Sequence, residues 1–293
     1  VLQYYGYRTG KTPHQLLNDE KRIVSFLAEI YQRVERVYPT DGDLKNIRML
    51  ITYIKNMMLN EDEIEALDEG AECKISVIYR EYCSKLKELQ MIDYDDQMVY
   101  AYVMLKKIPW LLAYFQELYP YICVDEAQDT SKIQHAIIAL LSARTGNLFM
   151  VGDEDQSIYG FRAAYPEALL EFEQRHRGAK VLLMEENFRS DANIVAAADH
   201  FIQKNTLRHE KHMRAFRESV QQIKEISVGT RKAQYAYLAK VTEGCTTETA
   251  VLYREHECAL PLIDLLERKG IPYRMRNAEL TFFTHRVVQD ISN

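Results

Sequence analysis

The 293-residue sequence lacks the features that would place it in a membrane, secreted or disulfide-stabilised class. Its longest apolar runs, such as IPWLLAYF and AIIALLSA, are far shorter than the roughly 20 residues that cross a bilayer. It opens on Val1 without the charged, apolar and small-residue regions of a signal peptide. Its five cysteines include no C-x-x-C pair, which indicates neither a disulfide framework nor a zinc site. We therefore expect a cytoplasmic protein with no membrane partner.

A complete phosphate-binding loop is also absent from the first residues, although Gly10, Lys11 and Thr12 form the tripeptide that ends one. A P-loop reads G-x-x-x-x-G-K-S/T, follows a buried strand and enters a helix, so that its backbone N–H groups face the phosphates. Here only three residues separate Gly6 from Gly10, and Pro13 removes an N–H from the turn that would follow. We interpret the tripeptide as an exposed turn before a helix.

Composition indicates a globular protein of about two domains. Hydrophobic residues make up 47% of the chain and charged residues 27%, and the net charge is −6. A negative net charge argues against a surface that is basic overall and binds nucleic acid on that account, although a local groove can still be basic.

The hydrophobic pattern changes character near Gln90. Before it, apolar residues recur every three or four positions, as at Ile23, Leu27 and Ile30, which predicts helices and no strands. After it come four short apolar runs separated by helical stretches, and polar residues follow each run: YICV, LFMV, VLLM and TAVLY. Alternating strands and helices predict an α/β fold with parallel sheets, whose ligands lie beyond the carboxyl ends of the strands.

The first run delivers two adjacent carboxylates, Asp125 and Glu126, in YICVDEAQDTSKIQ. One carboxylate can hold a Mg²⁺ ion bound to nucleotide phosphates, and the other can orient or deprotonate a water. An acidic first turn of a helix is the alternative. Ser131 and Gln134 fit an S-x-x-Q capping box that would begin the next helix.

The second run leads into LFMVGDEDQSIYGFRAA. Asp153 is an acid suited to a cofactor site, and Gln156 can sense a phosphate because an amide both donates and accepts. Tyr159 and Phe161 suit stacking on exposed bases, a contact worth about 1–3 kcal/mol per base. Burial of the two rings under a neighbouring helix is the alternative.

The third run leads into LLMEENFRS, where Phe188 and Arg189 follow the predicted strand. An arginine at this place could reach the γ-phosphate across a cleft, and the phenylalanine offers a flat face to a purine.

These motifs resemble those of a known family. In this order and at these separations, VDEAQDTSKIQ, VGDEDQSIYGFRAA and ENFRS resemble motifs II, III and IV of the UvrD/Rep-type superfamily 1 DNA helicases. MIDYDDQMVYAYVML resembles the acidic segment ahead of motif II, and its Asp95 and Asp96 are either a solvated helix start or part of the catalytic site. TAVLYREHECALPLIDLLERKGIPYRM and LTFFTHRVVQDI resemble the start of the second motor domain, so the resemblance covers roughly residues 92–291.

The resemblance implies a pair of RecA-like α/β domains with ATP between them. It implies that Asp125 binds Mg²⁺ and Glu126 activates water. It further implies that Gln156 and Arg162 couple the γ-phosphate to DNA, while Arg189 serves as the arginine finger.

The resemblance also assigns aromatic contacts. Tyr159 and Phe161 would stack on single-stranded bases, and Phe188 would stack on adenine. The family usually has tryptophan where Phe161 stands and tyrosine where Phe188 stands. Both changes keep a flat ring, so we expect weaker stacking and a retained role.

The expected organisation is a partial pair of motor domains. Residues 1–91 would form a helical insertion of the first motor domain, residues 92–184 part of that RecA-like domain with motifs II and III, and residues 185–293 the N-terminal part of the second. The family's P-loop (motif I) and motifs V and VI are not in this sequence, and we expect the parent protein to supply them.

The function expected for the parent is an ATP-dependent DNA helicase or translocase, 3′ to 5′, acting on single-stranded DNA or a single-strand/duplex junction. A second hypothesis is a stand-alone helicase-like module that binds DNA or protein and has lost ATPase activity. A third, a small NTPase using residues 6–12, would require Lys11→Ala to abolish nucleotide binding.

We predict that the 293-residue chain alone shows no DNA-stimulated ATPase activity, whereas the parent protein does, because the chain lacks the P-loop donors for the β- and γ-phosphates. Phosphate release measured with and without single-stranded DNA checks this. Clear turnover by the chain that disappears in Glu126→Gln would contradict the prediction.

Overall fold

The computed structural model describes residues 1–160, 163–220 and 222–275. The chain divides into two compact units, residues 1–219 and 220–293. The helices of the first unit are α1 (Leu2–Thr9), α2 (Glu20–Glu35), α3 (Asp41–Asn56), α4 (Glu61–Ala66), α5 (Ile75–Glu88), α6 (Tyr94–Lys107), α7 (Pro109–Leu118), α8 (Lys132–Ser142), α9 (Glu167–Leu170), α10 (Phe172–Arg175) and α11 (Ala192–Ile202). Its strands are β1 (Gln15–Leu16), β2 (Met91–Ile92), β3 (Ile122–Val124), β4 (Leu148–Met150), β5 (Glu186–Asp191) and β6 (Arg214–Arg217).

A helical core fills the first third of the chain, as the periodicity predicts. Helices α2, α3 and α5 bury their apolar faces together, and Leu27, Ile47 and Ile78 are at most 1% exposed. Polar caps set where these helices begin. Asp19 accepts hydrogen bonds from two backbone N–H groups at the start of α2, and Thr40 forms a capping box with Asp43 at the start of α3.

The N-terminal region is not free of strands, which corrects the expectation from its pattern. Strand β1 pairs in parallel with β2, with Gln15 opposite Met91. Each strand has two residues, too few to show an alternating pattern, and the pairing joins segments far apart in the sequence.

The Gly-Lys-Thr tripeptide lies after a helix and before a strand, the reverse of a P-loop. Gly10 has φ 70° and ends helix α1 in the left-handed conformation that favours glycine. The chain then runs to β1, so the expected exposed turn is present but the predicted helix does not follow it directly.

Helix α6 begins on carboxylates that are buried, not solvated. Asp93 caps the helix and forms a capping box with Asp96, whose side chain is 14% exposed. Lys55 on α3 is 1% exposed and lies 2.6 Å from an Asp93 oxygen and 2.8 Å from an Asp96 oxygen. Burial alone would lower the pKa of Lys55, but the two carboxylates outweigh it and raise that pKa. The alternative that Asp96 belongs to a solvated helix start is therefore wrong.

Strands β3 and β4 confirm the first two predicted strands, and they pair in parallel with Ile122 opposite Leu148. The third prediction is wrong: VLLM forms no strand, and Leu182 and Met184 are 83% and 84% exposed. The strand begins instead at Glu186, in the polar segment, where β5 pairs in parallel with β6. A segment forms a strand when its backbone pairs with another strand, and an apolar run alone does not supply that partner.

The second unit is helical in the part that the structure describes. Helices α12 (Arg231–Glu243) and α13 (Leu260–Arg268) pack through Ala239, Leu262 and Leu266. The predicted strand TAVLY is wrong, because residues 249–253 form no strand. Among the described residues of the whole chain, no helix is both long and apolar enough to span a membrane.

We predict that Lys55→Ala lowers the free energy of unfolding by about 3–5 kcal/mol, because it leaves two buried carboxylates without their cation. Lys45→Ala, an exposed change on the same helix, is the control and should cost less than about 0.5 kcal/mol. Urea unfolding followed by circular dichroism checks both. Equal midpoints for the two variants would contradict the prediction.

Candidate active site

The acid pair lies directly beyond the carboxyl end of strand β3, and both side chains are exposed. Asp125 accepts a hydrogen bond from the Glu126 backbone N–H at 2.9 Å. Glu126 has φ 48°, in the left-handed region that few residues other than glycine adopt. Two exposed carboxylates at the tip of a parallel strand offer the oxygen donors that Mg²⁺ prefers. The described residues contain no group of three or more histidine, cysteine or acidic side chains arranged to hold a metal ion, so the metal role of Asp125 stays a prediction.

A buried glutamine that the sequence analysis missed holds the Glu126 carboxylate of the acid pair. Gln128 is 2% exposed and donates from Nε2 to Glu126 Oε2 at 2.8 Å. Its Oε1 accepts from the Asp153 backbone N–H at 3.0 Å, and its backbone carbonyl accepts from Ser157 Oγ at 3.2 Å. Gln128 therefore joins the loop after β3 to the loop after β4. An amide two residues after the acid pair is the signal that could have identified it.

Gln156 belongs to the same hydrogen-bonded chain. Asp153 caps a short 3-10 turn (Glu154–Gln156), and its Oδ2 accepts from Gln156 Nε2 at 2.7 Å. The structure thus connects Glu126 to Gln156 through the side chain of Gln128 and through Asp153.

Two cations that the sequence analysis also missed neutralise the acids of this turn. Arg208 makes a bidentate contact with Asp155, with Nη2 at 2.7 Å from Oδ2 and Nε at 2.9 Å from Oδ1. Lys211 Nζ lies 2.6 Å from Asp153, 3.1 Å from Glu154 and 3.3 Å from Asp155. Three consecutive acids in GDED require cations nearby, and LRHEKHMR supplies them from a distant part of the sequence.

The charge states of this cluster are set by opposing effects. Burial alone would raise the pKa of Asp153, but hydrogen bonds from Lys211 and Gln156 outweigh it and lower that pKa. Burial would lower the pKa of Lys211, but its contacts with Asp153 and Glu154 raise it. The Asp153 contribution to stability is therefore present at neutral pH and lost as the pH falls through its lowered pKa, and the Lys211 contribution is lost as the pH rises through its raised pKa.

The loop after β3 also contacts the helical core. Ser131 Oγ donates to Asn56 Oδ1 at 3.1 Å, and Asn56 Nδ2 donates to Asp95 Oδ1 at 2.7 Å. Helix α8 begins at Lys132, as the capping box predicts, and Gln134 Oε1 accepts from the Ser131 backbone N–H at 2.8 Å.

Phe188 and Arg189 lie on β5, within the strand and not after it. The Phe188 ring is 56% exposed, and its centroid lies 4.9 Å from that of Phe216 on β6. Within the described residues, the Arg189 guanidinium makes no hydrogen bond or ion pair, and so the structure does not connect it to the acid pair. Asn187 Oδ1 accepts from the backbone N–H groups of Arg189 and Ser190.

The predicted DNA-contacting residues are placed only in part. Tyr159 is half-buried on the segment that follows the 3-10 turn, three positions beyond Gln156. Phe161 and Arg162 lie outside the described residues.

Close packing at Gly152 yields a direct test of the loop contact. A Cβ at this position would lie 2.8 Å from Gln128 Oε1 and 2.8 Å from a methyl carbon of Leu169. We predict that Gly152→Ala displaces Gln128 and lowers the free energy of unfolding by about 1–3 kcal/mol. Urea unfolding measures this change.

The control for this prediction is Gly70→Ala, because an added Cβ there meets no atom within 4 Å. Its effect should stay within about 0.5 kcal/mol of the parent chain. A Gly152→Ala variant as stable as the control would contradict the proposed contact.

Two family models match this chain. The model described as UvrD/REP helicase N-terminal domain matches residues 1–177, and the model described as UvrD-like helicase C-terminal domain matches residues 182–292. Helicase domains of this kind imply a RecA-like α/β fold.

Curated relatives agree with these models. The chain is 31% identical to a putative ATP-dependent DNA helicase, YjcD, of Bacillus subtilis over 88% of its own length and 34% of that protein. It is 30% identical to the ATP-dependent DNA helicase PcrA of Staphylococcus epidermidis over 83% of its length and 35% of that protein. It is 28% identical to DNA helicase II of Haemophilus influenzae over 93% of its length and 37% of that protein.

The chain thus spans about a third of the length of these relatives. The motifs around the acid pair, the two family models and the relatives all agree, and the chain belongs to the UvrD/Rep helicase family.

Proposed function

We propose that this chain forms part of an ATP-dependent DNA helicase or translocase that moves 3′ to 5′ on single-stranded DNA. Relatives named ATP-dependent DNA helicase or DNA helicase II support this assignment. The observation that carries it is the hydrogen-bonded chain from Glu126 through Gln128 and Asp153 to Gln156. This series of hydrogen bonds connects the Glu126 carboxylate, which is suited to activating water, with the Gln156 amide, which is suited to contacting a phosphate.

The proposed hydrolytic roles follow from chemistry and position. Asp125 is the ligand for Mg²⁺, which would neutralise charge on the phosphates of ATP. Glu126 accepts a proton from the attacking water, and the Gln128 amide holds its carboxylate by one of its two oxygens. The second oxygen of Glu126 is then the one that receives the proton. Gln156 contacts the γ-phosphate, with Asp153 orienting its amide.

The remaining roles depend on closure of a cleft. Arg189 acts as the finger on the γ-phosphate, and Arg162 joins Gln156 in transmitting the state of the nucleotide. Phe188 stacks on adenine, a role supported by the exposed part of its ring. Because the Arg189 guanidinium makes no hydrogen bond or ion pair within the described residues, the finger role requires it to approach the acid pair during the cycle.

The proposed DNA contacts lie on the segment just beyond Gln156. Tyr159 and Phe161 stack on successive bases of a single strand or a single-strand/duplex junction. A change in the position of Gln156 would move this segment, which is how phosphate contact would be transmitted to DNA. We place the protein in the reducing cytoplasm, where its five free thiols would persist.

A second candidate is a helicase-like module that binds DNA or protein without hydrolysing ATP. The Gly-Lys-Thr tripeptide follows a helix, and its geometry is not that of a phosphate-binding loop, so residues 10–12 do not supply one. The acid pair, Gln156 and Arg189 favour the first candidate, because a module that only binds would not need them.

We predict that Glu126→Gln in the full-length gene product lowers the DNA-stimulated rate of ATP hydrolysis by at least about 100-fold, because the general base is removed. Single-stranded DNA binding, measured by fluorescence anisotropy, should stay unchanged. Glu117→Gln, an exposed change on α7, is the control and should keep the full rate.

Two outcomes would contradict the proposed function. A Glu126→Gln variant with the wild-type rate would remove the assigned base. A wild-type product that binds single-stranded DNA but shows no DNA-stimulated hydrolysis would favour the module without ATPase activity.

A further inference from the structure

Asp153 divides its two carboxylate oxygens between a cation and the predicted phosphate sensor. Oδ1 lies 2.6 Å from Lys211 Nζ, and Oδ2 accepts from Gln156 Nε2 at 2.7 Å. Oδ1 also accepts from the Asp155 backbone N–H at 3.2 Å, so the cation and this backbone group together hold the plane of the carboxylate. That plane sets the direction of the Gln156 amide. A charge-assisted hydrogen bond of this length is among the stronger polar contacts in proteins.

The Lys211 side chain is itself held in place. It is 10% exposed, and besides Asp153 it contacts Glu154 and Asp155, whose side chains are 5% and 10% exposed. Its backbone carbonyl accepts from Arg208 Nη1 at 3.2 Å and from Gln203 Nε2 at 3.0 Å. A lysine bound at both its ammonium and its backbone has little freedom to release Asp153.

The residues after Lys211 lead directly to the strand pair that carries the predicted finger. The His212 backbone N–H donates to Glu185 Oε1 at 2.9 Å, and the Arg214 backbone N–H donates to the Glu185 carbonyl at 2.7 Å. Strand β6 then pairs with β5, on which Arg189 lies. A short series of contacts thus runs from Gln156 to the strand of Arg189.

We propose that Lys211 is a positioning residue: through Asp153 it sets the direction of the Gln156 amide, and through β6 it connects that amide to the strand bearing Arg189. Its effect on hydrolysis rests on the proposed function, whereas its effect on Gln156 does not. Lys211 has no chemical step of its own. Arg208 still pairs with Asp155 when Lys211 is removed, but Asp153 and Glu154 lose their shared ammonium and repel each other. We expect Asp153 to turn away, so that Gln156 loses its acceptor.

The first test follows the NMR signals of the Gln156 side-chain amide, which depend on its hydrogen bond to Asp153. In ¹⁵N-labelled 293-residue chain, the side-chain amide signals of Gln156 are assigned by their loss in Gln156→Ala. We expect Lys211→Met to shift these signals by more than their line width, while Lys204→Met, an exposed control in the same segment, leaves them in place. Unmoved signals in a folded Lys211→Met chain would overturn the proposal.

A milder variant keeps the test decisive if Lys211→Met fails to fold. Lys211→Arg retains the positive charge but places it on a planar group with different hydrogen-bond directions. We expect an intermediate shift of the Gln156 amide signals in this variant. Signals identical to those of the wild type would overturn the proposal, because a displaced donor at Asp153 must alter the bond on its other oxygen.

The second test uses hydrolysis by the full-length gene product. We expect Lys211→Met to lower the DNA-stimulated kcat by at least about tenfold with little change in the KM for ATP. Combined with Gln156→Ala, it should cost no more than Gln156→Ala alone, because both changes remove the same contact. Lys204→Met should keep the wild-type kcat.

The outcomes separate the two proposals. Effects of Lys211→Met and Gln156→Ala that multiply would overturn the positioning role. A wild-type protein without DNA-stimulated hydrolysis would defeat the proposed function, and the amide signals would still decide whether Lys211 positions Gln156.

Discussion

One buried amide carries the geometry of the site. Gln128 donates to Glu126 and accepts from the backbone of Asp153, so it fixes a loop from β3 against a loop from β4. Strands β3 and β4 pair over three residues each, and the Ala127 backbone N–H donates to the Val151 carbonyl just beyond them, which brings the two loops close together. Gln128 converts that proximity into a defined direction for the carboxylate. Gln128 itself is 2% exposed, which strengthens its polar contacts, although its partner Glu126 is exposed to solvent.

A second theme is that lysines in this chain stabilise groups of carboxylates. Lys55 neutralises Asp93 and Asp96 inside the helical core, and Lys211 neutralises the acids of the 3-10 turn. In each case the cation comes from a segment distant in sequence from the acids. Such clusters contribute less to net stability than to specifying one arrangement, because burying the charges is itself costly. The core cluster fixes the start of α6, and the second cluster fixes the turn that bears Gln156.

Local pattern was sufficient for several parts of the fold. The helical spacing around Leu27 predicted α2, the runs before Asp125 and Gly152 predicted β3 and β4, and the capping box predicted the start of α8. Each of these depends on residues within a few positions of one another. The family resemblance, read from three ordered motifs, was confirmed by the family models.

The rest depended on contacts between distant residues. The pairing of β1 with β2 and the start of β5 at Glu186 are decided by partner strands, which an apolar pattern cannot identify. Gln128 and Lys211 were missed for a similar reason, since each gains its role from a group in another loop. The roles assigned to the site residues, and the domain boundaries after residues 91 and 184, stay predictions.

The backbone of Glu126 has a further consequence. At φ 48°, a glutamate occupies a basin that is higher in energy than the right-handed one, by an amount on the order of 1–3 kcal/mol. Neighbouring bonds from Gln128 and the Asp125 side chain must hold it there. The loop therefore holds Glu126 in a strained backbone conformation. If those hydrogen bonds weaken, the backbone can relax to a lower-energy φ and the carboxylate changes direction. The direction of the Glu126 carboxylate therefore depends on the whole loop, and substitutions at neighbouring positions can change it without replacing Glu126.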